Sequence, residues 1–194
     1  MSSNAQPRGP LDGREIQAQS LHLSGLPSGR LINLRAPASA AAVDQVLHKQ
    51  LGCARPTQPN TLATGQAGRI LWLGPDEWLI ELADAGEVSE SAIEFALVHT
   101  GATLCEVGAG LARVRIEGTQ ARWLLGAGSP LPSDSAAMAP GGCAQTRLAH
   151  ASIIVVAEST DALTVLVRRS MAGYLWHWFE QAVARLEPPR PVAS

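Results

Sequence analysis

Few residues in this 194-residue chain have types and spacing suited to catalysis. Asp76 and Glu77 are adjacent carboxylates that could act as general acid and base, but neighbouring side chains at a strand turn diverge, which favours a structural role. Cys53, Cys105 and Cys143 form no C-x-x-C pair, and the five dispersed histidines show no zinc-ligand spacing. A Cys–His pair formed in space stays open.

The glycine-rich stretches do not have the spacing of a phosphate-binding loop. Gly108 and Gly110 lie between two predicted strands, whereas Gly126 and Gly128 follow a predicted helix. A dinucleotide fingerprint needs G-x-G-x-x-G between a strand and a helix, and the Walker pattern is missing. Both glycine pairs are therefore interpreted as turns.

Arg168 and Arg169 precede the last predicted helix, with Ser170 as its predicted N-cap. Guanidinium groups beside a helix N-terminus can bind a carboxylate or phosphate, because the free N–H groups and the helix dipole point there. Arginines that pack or pair on the surface are the alternative interpretation.

The final helix places aromatic residues on two faces. At 100° per residue its predicted core stripe contains Leu175, Trp178 and Phe179, while Trp176 lies at the margin and Tyr174 on the polar side. An aromatic residue on a polar face is typical of a partner interface, although a tyrosine covering its own domain fits as well. The residues predicted to contact a partner are Trp72, Trp78, Arg168, Arg169, Tyr174, Trp176 and His177. For Trp72 and Trp78, packing in the core is the alternative.

Composition limits the classes of function. The net charge is −2 and only 16% of residues are charged, without a basic block, which argues against nucleic acid or an anionic membrane as the main ligand. The N-terminus lacks a signal-peptide pattern, and no apolar run approaches the roughly 20 residues of a spanning helix. We expect a cytoplasmic protein with reduced thiols.

Residues 70–82 form the clearest local pattern, because two apolar runs flank the turn signal at residues 74–77 and predict a β-hairpin. A second hairpin is predicted over residues 151–168. In the strand between residues 111 and 117, Arg113, Arg115 and Glu117 are predicted to face outwards.

An internal repeat organises the predicted elements. A strand, a helix, a Pro/Gly loop, a hairpin and a helix occur twice, in residues 30–107 and 111–187. This order predicts an α+β fold in which two split β-α-β-β-α-β (ferredoxin-like) halves form one domain. Residues 1–29 are predicted to be a flexible arm, and residues 188–194 a C-terminal tail.

Three motifs in this order carry a family resemblance: LGPDEWLI at residues 73–80, PGGCAQTRL at residues 140–148 and YLWHWF at residues 174–179. Together they resemble the gamma subunit of heterotetrameric sarcosine oxidase, and the similarity covers about residues 68–186. The resemblance implies a fold similar to the folate-binding domain of aminomethyltransferases.

The resemblance also implies partners and a reaction. The family's complex contains an alpha subunit with NAD and folate sites, a beta subunit with FAD and FMN, and a zinc-binding delta subunit. It oxidises sarcosine to glycine, forming hydrogen peroxide and either formaldehyde or 5,10-methylenetetrahydrofolate. The resemblance implies no catalytic, cofactor-binding or metal-binding residue in this chain.

One departure and two alternatives qualify this interpretation. The family often has an Asp-Val-Ser run followed by Arg before the central strand, where this chain has Glu106, Val107, Gly108 and Ala109. A free-standing folate-binding or aminomethyltransferase-like protein is the alternative, and it would need a carboxylate in a central cavity with an aromatic wall. A small regulatory module that binds a metabolite is a further possibility.

Overall fold

The computed structural model describes residues 9–83 and 88–186, and within them the chain forms two antiparallel sheets and four α-helices. The strands are β1 (Glu15–Ala18), β2 (Leu21–Leu26), β3 (Arg30–Arg35), β4 (Leu62–Thr64), β5 (Gly68–Gly74), β6 (Glu77–Leu82), β7 (Thr103–Glu106), β8 (Leu111–Glu117), β9 (Gly142–Leu148), β10 (Ala151–Ser159) and β11 (Ala162–Arg168). The helices are α1 (Ala41–Leu51), α2 (Glu90–Leu97), α3 (Ala121–Gly126) and α4 (Ala172–Ala184). Short 3-10 turns occur at Gly108–Gly110, Ala136–Met138 and Arg169–Met171.

The elements stack in four layers, with the two sheets facing each other and the helices outside. The five-stranded sheet has the order β4–β5–β6–β3–β7, and its outer face packs on α1 and α2 through residues such as Ile70, Leu47 and Ile93. The six-stranded sheet has the order β1–β2–β8–β11–β10–β9 and packs on α3 and α4. Leu79 and Val156 belong to a third apolar cluster between the sheets.

The hairpin formed by β5 and β6 is confirmed. Ile70 and Ile80 pack toward the helices, whereas Leu71 and Leu79 pack into the inter-sheet cluster, so both faces of the hairpin are buried. A strand covered on both faces reads as a nearly continuous apolar run, which explains the sequence of this stretch.

The two-half α+β plan is also confirmed, with all six elements in the first half and, within residues 111–186, no strand after α4 in the second. In the first half, β5–β6–β3–β7 lie side by side, with β4 added at the edge. In the second half, β10–β11–β8 repeat the order β5–β6–β3, and β9 repeats the position of β4. The place that β7 occupies beside β3 is taken in the second half by β2, which precedes both halves in the sequence.

The prediction of a flexible arm was wrong for residues 15–26, because they form the β1–β2 hairpin at the edge of the six-stranded sheet. Leu21 and Leu23 are buried in the core with Leu11. Their alternation with polar residues is too short to stand out in the sequence. Residues 1–8 and the predicted tail at 188–194 lie outside the described residues.

Candidate functional site

Charged side chains from both sheets form a hydrogen-bonded network where the sheets meet. Arg69 on β5 donates from Nη1 and Nη2 to the carboxylate of Glu158 on β10, at 2.7 and 3.0 Å. Its Nε donates to Oε2 of Glu81 on β6 at 2.7 Å. Arg69 therefore joins a carboxylate of its own sheet to one of the opposite sheet.

The two carboxylates make further bonds that close the network. Glu81 accepts a hydrogen bond from Arg113 of β8, so it too connects the sheets. Glu158 accepts from the hydroxyl of Thr164 at 2.6 Å and lies 3.5 Å from the Nη1 of Arg115. We name these residues the inter-sheet network; its members are Arg69, Glu81, Arg113, Arg115, Glu158 and Thr164.

The network determines how Glu158 titrates. Burial tends to raise the pKa of Glu158, but hydrogen bonds from Arg69 and Thr164 and the charges of Arg69 and Arg115 outweigh it and lower the pKa below its usual value. A carboxylate with a depressed pKa stabilises the fold above its unfolded pKa, and this contribution is lost as the pH falls through its folded pKa.

We therefore expect the wild-type chain to lose more stability than Glu158→Gln when the pH falls from about 5 to 3, because the amide has no proton to gain. Urea unfolding at a series of pH values measures this. Glu94→Gln is the control, since Glu94 is exposed on α2, away from the inter-sheet network. Parallel pH profiles for wild type and Glu158→Gln would contradict the expectation.

Asp76 and Glu77 are both held by side chains of the neighbouring strand β3. Arg35 donates to Glu77 at 2.9 Å and to Asp76 at 3.5 Å, and Asn33 donates to the other oxygen of Glu77 at 2.8 Å. These contacts support the structural role that the sequence favours for the two carboxylates.

Trp78, which the sequence placed at a partner interface, is a core residue. Its side chain is buried, its Nε1 donates to the carbonyl of Pro56 at 3.0 Å, and the guanidinium of Arg55 lies 4.4 Å from the ring centroid. Arg55 is itself fixed by Asp44, at 2.8 Å. Trp72, the partner of Trp78 in the strand register, is half-buried and keeps a surface open to solvent.

Trp176 is a second correction, because only 2% of it is exposed. The buried stripe of α4 is confirmed for Leu175 and Phe179, and it is wide enough to include Trp176 at its margin. Trp78 and Trp176 thus lie in the two separate cores on the outer sides of the sheets.

An aromatic groove lies between α3 and α4. Trp123 is 49% exposed and Tyr174 39% exposed, and they line a cavity of about 350 Å³ together with His177 and Trp178. The Tyr174 hydroxyl accepts a hydrogen bond from the backbone N–H of His150 at 3.4 Å. We name Trp123, Tyr174, His177 and Trp178 the α3–α4 surface.

The sequence reasoning missed Trp123 as a candidate contact residue. It lies in a short helix whose buried positions are Ala121, Leu124 and Leu125, so Trp123 is off the core stripe. A tryptophan at such a position is the signal that could have found it, by the argument already used for Tyr174.

Arg168 and Arg169 are exposed. The prediction that Ser170 is the N-cap of the last helix was wrong. The chain makes a 3-10 turn at Arg169–Met171, so α4 begins at Ala172 with Met171 at the N-cap position and Ser170 within the turn. Arg168 ends β11 and lines a cavity between the sheets instead. The structure therefore separates the predicted contact residues into three regions: the β5–β6 hairpin, the end of β11 and the α3–α4 surface.

The cavity beside Arg168 is the place where a central ligand site could form. Its volume is about 320 Å³, and its polar lining includes Asn33, Glu77, Gln145 and Arg168. Gln145 donates to the carbonyl of Leu73 at 2.9 Å, and Glu77 is already bound by Asn33. None of the described residues that line it is aromatic. It therefore does not match the aromatic-walled carboxylate site that the folate-binding alternative needs.

The cysteines differ in exposure. Cys143 is buried, with its Sγ 3.3 Å from the carbonyl oxygen of Thr61, and burial raises the pKa of its thiol to about 11. Burial also raises the pKa of Cys53, while Cys105 is exposed. A buried thiol with a raised pKa is a poor nucleophile.

We expect iodoacetamide to modify Cys105 quickly in the native chain, and Cys53 and Cys143 only after unfolding in urea. Peptide mass spectrometry at timed intervals measures this, with Cys105→Ser as the control that abolishes the fast phase. Rapid native labelling of Cys143 would contradict its burial.

Two kinds of feature were not found in residues 9–83 and 88–186. These residues contain no group of three or more His, Cys, Asp or Glu arranged to hold a metal ion. Their helices include none that is long and apolar enough to cross a membrane.

Comparisons with known proteins give one family match and several matches to the fold. A family model described as "Sarcosine oxidase, gamma subunit family" matches residues 33–185. The heterotetrameric sarcosine oxidase from Corynebacterium sp. U-96, solved in complex with pyrrole 2-carboxylate, contains a chain that aligns with a TM-score of 0.78 and 19% identity, over 94% of this chain and 93% of that one.

A more distant structure has the same fold. The glycine cleavage system aminomethyltransferase T from Bartonella henselae aligns with a TM-score of 0.64 and 12% identity, over 82% of this chain. The alignment spans 45% of that enzyme, so the likeness concerns less than half of it. A search of curated protein sequences gave no match.

Proposed function

Because the chain belongs to the sarcosine oxidase gamma subunit family, we propose that it is the non-catalytic gamma subunit of a heterotetrameric sarcosine oxidase. The complex would convert sarcosine to glycine by oxidative demethylation. Hydrogen peroxide would be one product, and the one-carbon unit would leave as formaldehyde or as 5,10-methylenetetrahydrofolate.

In this proposal the partners are the alpha, beta and delta subunits, and they hold the cofactors. FAD, FMN, NAD, tetrahydrofolate and zinc would bind to those subunits and not to this chain. The redox chemistry would then lie outside the gamma subunit, whose contribution is to dock on the larger chains and stabilise their assembly.

The side chains that could react are ion-paired, hydrogen-bonded or buried, which supports a non-catalytic role. Glu81 is ion-paired with Arg113 and Glu158 with Arg69 across the two sheets, and Glu77 is held by Arg35 and Asn33. The thiol of Cys143 is buried with a raised pKa. To react, the carboxylates would have to give up these contacts and the thiol its burial.

Trp123 and Tyr174 are exposed and line one groove together, and this grouping is the observation that carries the docking role. Large aromatic residues on a surface are typical of protein interfaces, where burying them stabilises the complex. The low share of charged residues, 16%, fits a chain whose surface is partly covered in the assembly. We propose that the α3–α4 surface, with Tyr174 and His177 among the sequence-predicted contacts, faces a partner subunit.

Co-expression with the alpha, beta and delta subunits tests the docking role. We expect Trp123→Glu and Tyr174→Asp to reduce recovery of the gamma chain with tagged beta subunit by at least about tenfold, because each change buries an unpaired charge in the interface. Phe95→Asp is the matched control: Phe95 is 82% exposed on α2, in the opposite outer layer. Thermal unfolding of each isolated variant checks that the fold is retained.

Two results would contradict the proposal. A wild-type gamma chain that does not co-purify with the other subunits would contradict the subunit role itself. If both α3–α4 variants were still recovered with the beta subunit while Phe95→Asp was lost, the interface would lie on α2 instead.

Titration of the isolated chain with tetrahydrofolate tests the free-standing folate-binding alternative, since saturable micromolar binding would favour it.

A further inference from the structure

The six-stranded sheet is completed by a segment from outside the repeat. In the first half, β7 follows α2 in the chain and pairs antiparallel with β3. In the second half, the equivalent edge is that of β8, and it pairs antiparallel with β2 of the N-terminal hairpin. Without this hairpin, β8 would have an open edge of unpaired N–H and C=O groups, which favours pairing with another strand.

The hairpin fills this edge with both backbone and side-chain contacts. The β2–β8 register runs from His22 opposite Glu117 to Leu26 opposite Arg113. Leu21 and Leu23 enter the core behind the sheet, where at most 2% of either residue is exposed. An extended peptide with apolar side chains at alternate positions is the kind of ligand that such an edge binds.

The segment before β1 packs as part of the same unit. Leu11 is 1% exposed and belongs to the same core cluster as Leu23. The backbone of Leu11 lies so close to Gly25 that a Cβ on Gly25 would come within 1.8 Å of the Leu11 carbonyl oxygen. Gly25 also donates its N–H to the carbonyl of Arg14 at 2.9 Å. Residues 9–26 are thus internally bonded and bring their own apolar residues to the edge.

The covalent link between the hairpin and the repeat is short. Residues 27–29 alone separate β2 from β3, which lies in the opposite sheet. Arg113 of β8 donates to the carbonyl of Pro27 at 3.1 Å, so the non-covalent contacts continue to the start of the link. Ser28 is the central residue of this link; it is half-buried and its hydroxyl has no hydrogen-bond partner among the described residues, so a protease site inserted there breaks no side-chain hydrogen bond of Ser28.

We propose that the edge of β8 is a strand-acceptor site whose ligand is the segment formed by residues 9–27. The hairpin is held there by its strand pairing and its three buried leucines. The site therefore binds this segment as a separate peptide, once the chain is cut at residue 28. This inference concerns the chain itself and is independent of its role in a complex.

A protease site inserted at residue 28 of the full-length chain tests the proposal. After cleavage, we expect the hairpin to remain with the rest of the chain in native mass spectrometry and gel filtration. A fluorescently labelled peptide of residues 9–27 should exchange into the site and saturate it. The melting temperature of the cut protein should rise with added peptide, because a ligand that binds only the folded state stabilises it.

Variant peptides show whether the observed contacts carry the binding. A Leu23→Ala peptide should compete at least about tenfold less well than the parent, because it removes buried apolar contact. A Gln17→Ala peptide is the control and should compete equally, since Gln17 is exposed on β1. Because these changes are made in the peptide, the rest of the chain is unaltered.

The outcomes decide the proposal. Aggregation of the cut protein that excess parent peptide prevents would support an open edge at β8. A hairpin that separates on cleavage and does not rebind would overturn the proposal, as would aggregation that the peptide does not prevent. Equal competition by the Leu23→Ala peptide would also overturn it, because the binding would then not use the site described.

Discussion

Replacing Arg69 with methionine is expected to lower the free energy of unfolding by about 3–5 kcal/mol. Arg69 bonds to Glu158 and Glu81 at once, and the side chains of Arg69, Glu81 and Glu158 are all less than one-fifth exposed. Methionine keeps much of the side-chain volume but leaves two partly buried carboxylates without their shared cation. Because Glu81 keeps Arg113, and Glu158 keeps Thr164 and Arg115, we expect the loss at the lower end of this range. The loss is therefore one of charge compensation, not of packing.

Urea unfolding followed by tryptophan fluorescence measures this effect, and Arg35→Met is its matched control. Arg35 also bonds to two carboxylates, Asp76 and Glu77, but its side chain is 52% exposed and its contacts stay within one sheet. Exposed ion pairs contribute at most about 1 kcal/mol. If both variants lost the same amount of stability, burial of the inter-sheet network would not be the cause.

The same network allows a test of coupling between the sheets. In a double-mutant cycle, Arg69→Met and Glu158→Gln should be strongly non-additive, because the first change removes the bidentate partner of the charge that the second removes. Additive losses would show that Arg69 stabilises the chain through Glu81 alone. The cycle thus separates the contact across the sheets from the contact within one sheet.

The sequence predicted the fold best in strands that are buried on both faces, because such strands are continuous apolar runs. Ile70 and Leu71 are adjacent and apolar, and the structure buries them in different clusters on opposite sides of one sheet. The repeat could be recognised because each half keeps the same order of strand, helix and hairpin. Local periodicity and turn residues were sufficient for this level of the fold.

The inter-sheet network could not be predicted from the same patterns. Arg113 and Arg115 alternate with apolar residues in β8, so they were predicted to face outwards. Their face of the sheet meets the opposite sheet, and Arg113 is only 8% exposed. Strand periodicity identifies two faces but does not tell whether water or another sheet covers the polar one.

Edge strands were the other features that the sequence did not predict. β4 has three residues within a loop rich in proline and glycine, and its pairing with β5 is visible only in three dimensions. The β1–β2 hairpin was missed because its pairing with β8 joins segments that are far apart in the sequence. Such placements depend on long-range pairing, which local patterns do not encode.

Replacing Trp78 with alanine is expected to cost about 3–5 kcal/mol of unfolding free energy, the range for deleting a large buried aromatic side chain. The ring packs in the core beside α1 and is 3% exposed. Its removal also leaves the carbonyl of Pro56 without its donor, and the guanidinium of Arg55 without the aromatic face it covers.

Two further variants separate these contributions by the same urea measurement. Trp78→Phe keeps much of the apolar contact but loses the hydrogen bond to Pro56, so it should recover more than half of the loss. Trp72→Ala, in the paired strand, should cost less than Trp78→Ala because Trp72 is only half-buried.

This comparison also decides what the family motif at residues 73–80 contributes. The turn residues Asp76 and Glu77 are tied to Arg35, and Trp78 fixes the next strand against α1, so each has a structural partner. If Trp78→Ala destabilises the chain while Trp78→Phe still assembles with the other subunits, the motif acts through the fold. A stable Trp78→Ala chain that no longer assembles would instead give the tryptophan a direct part in docking, against its burial.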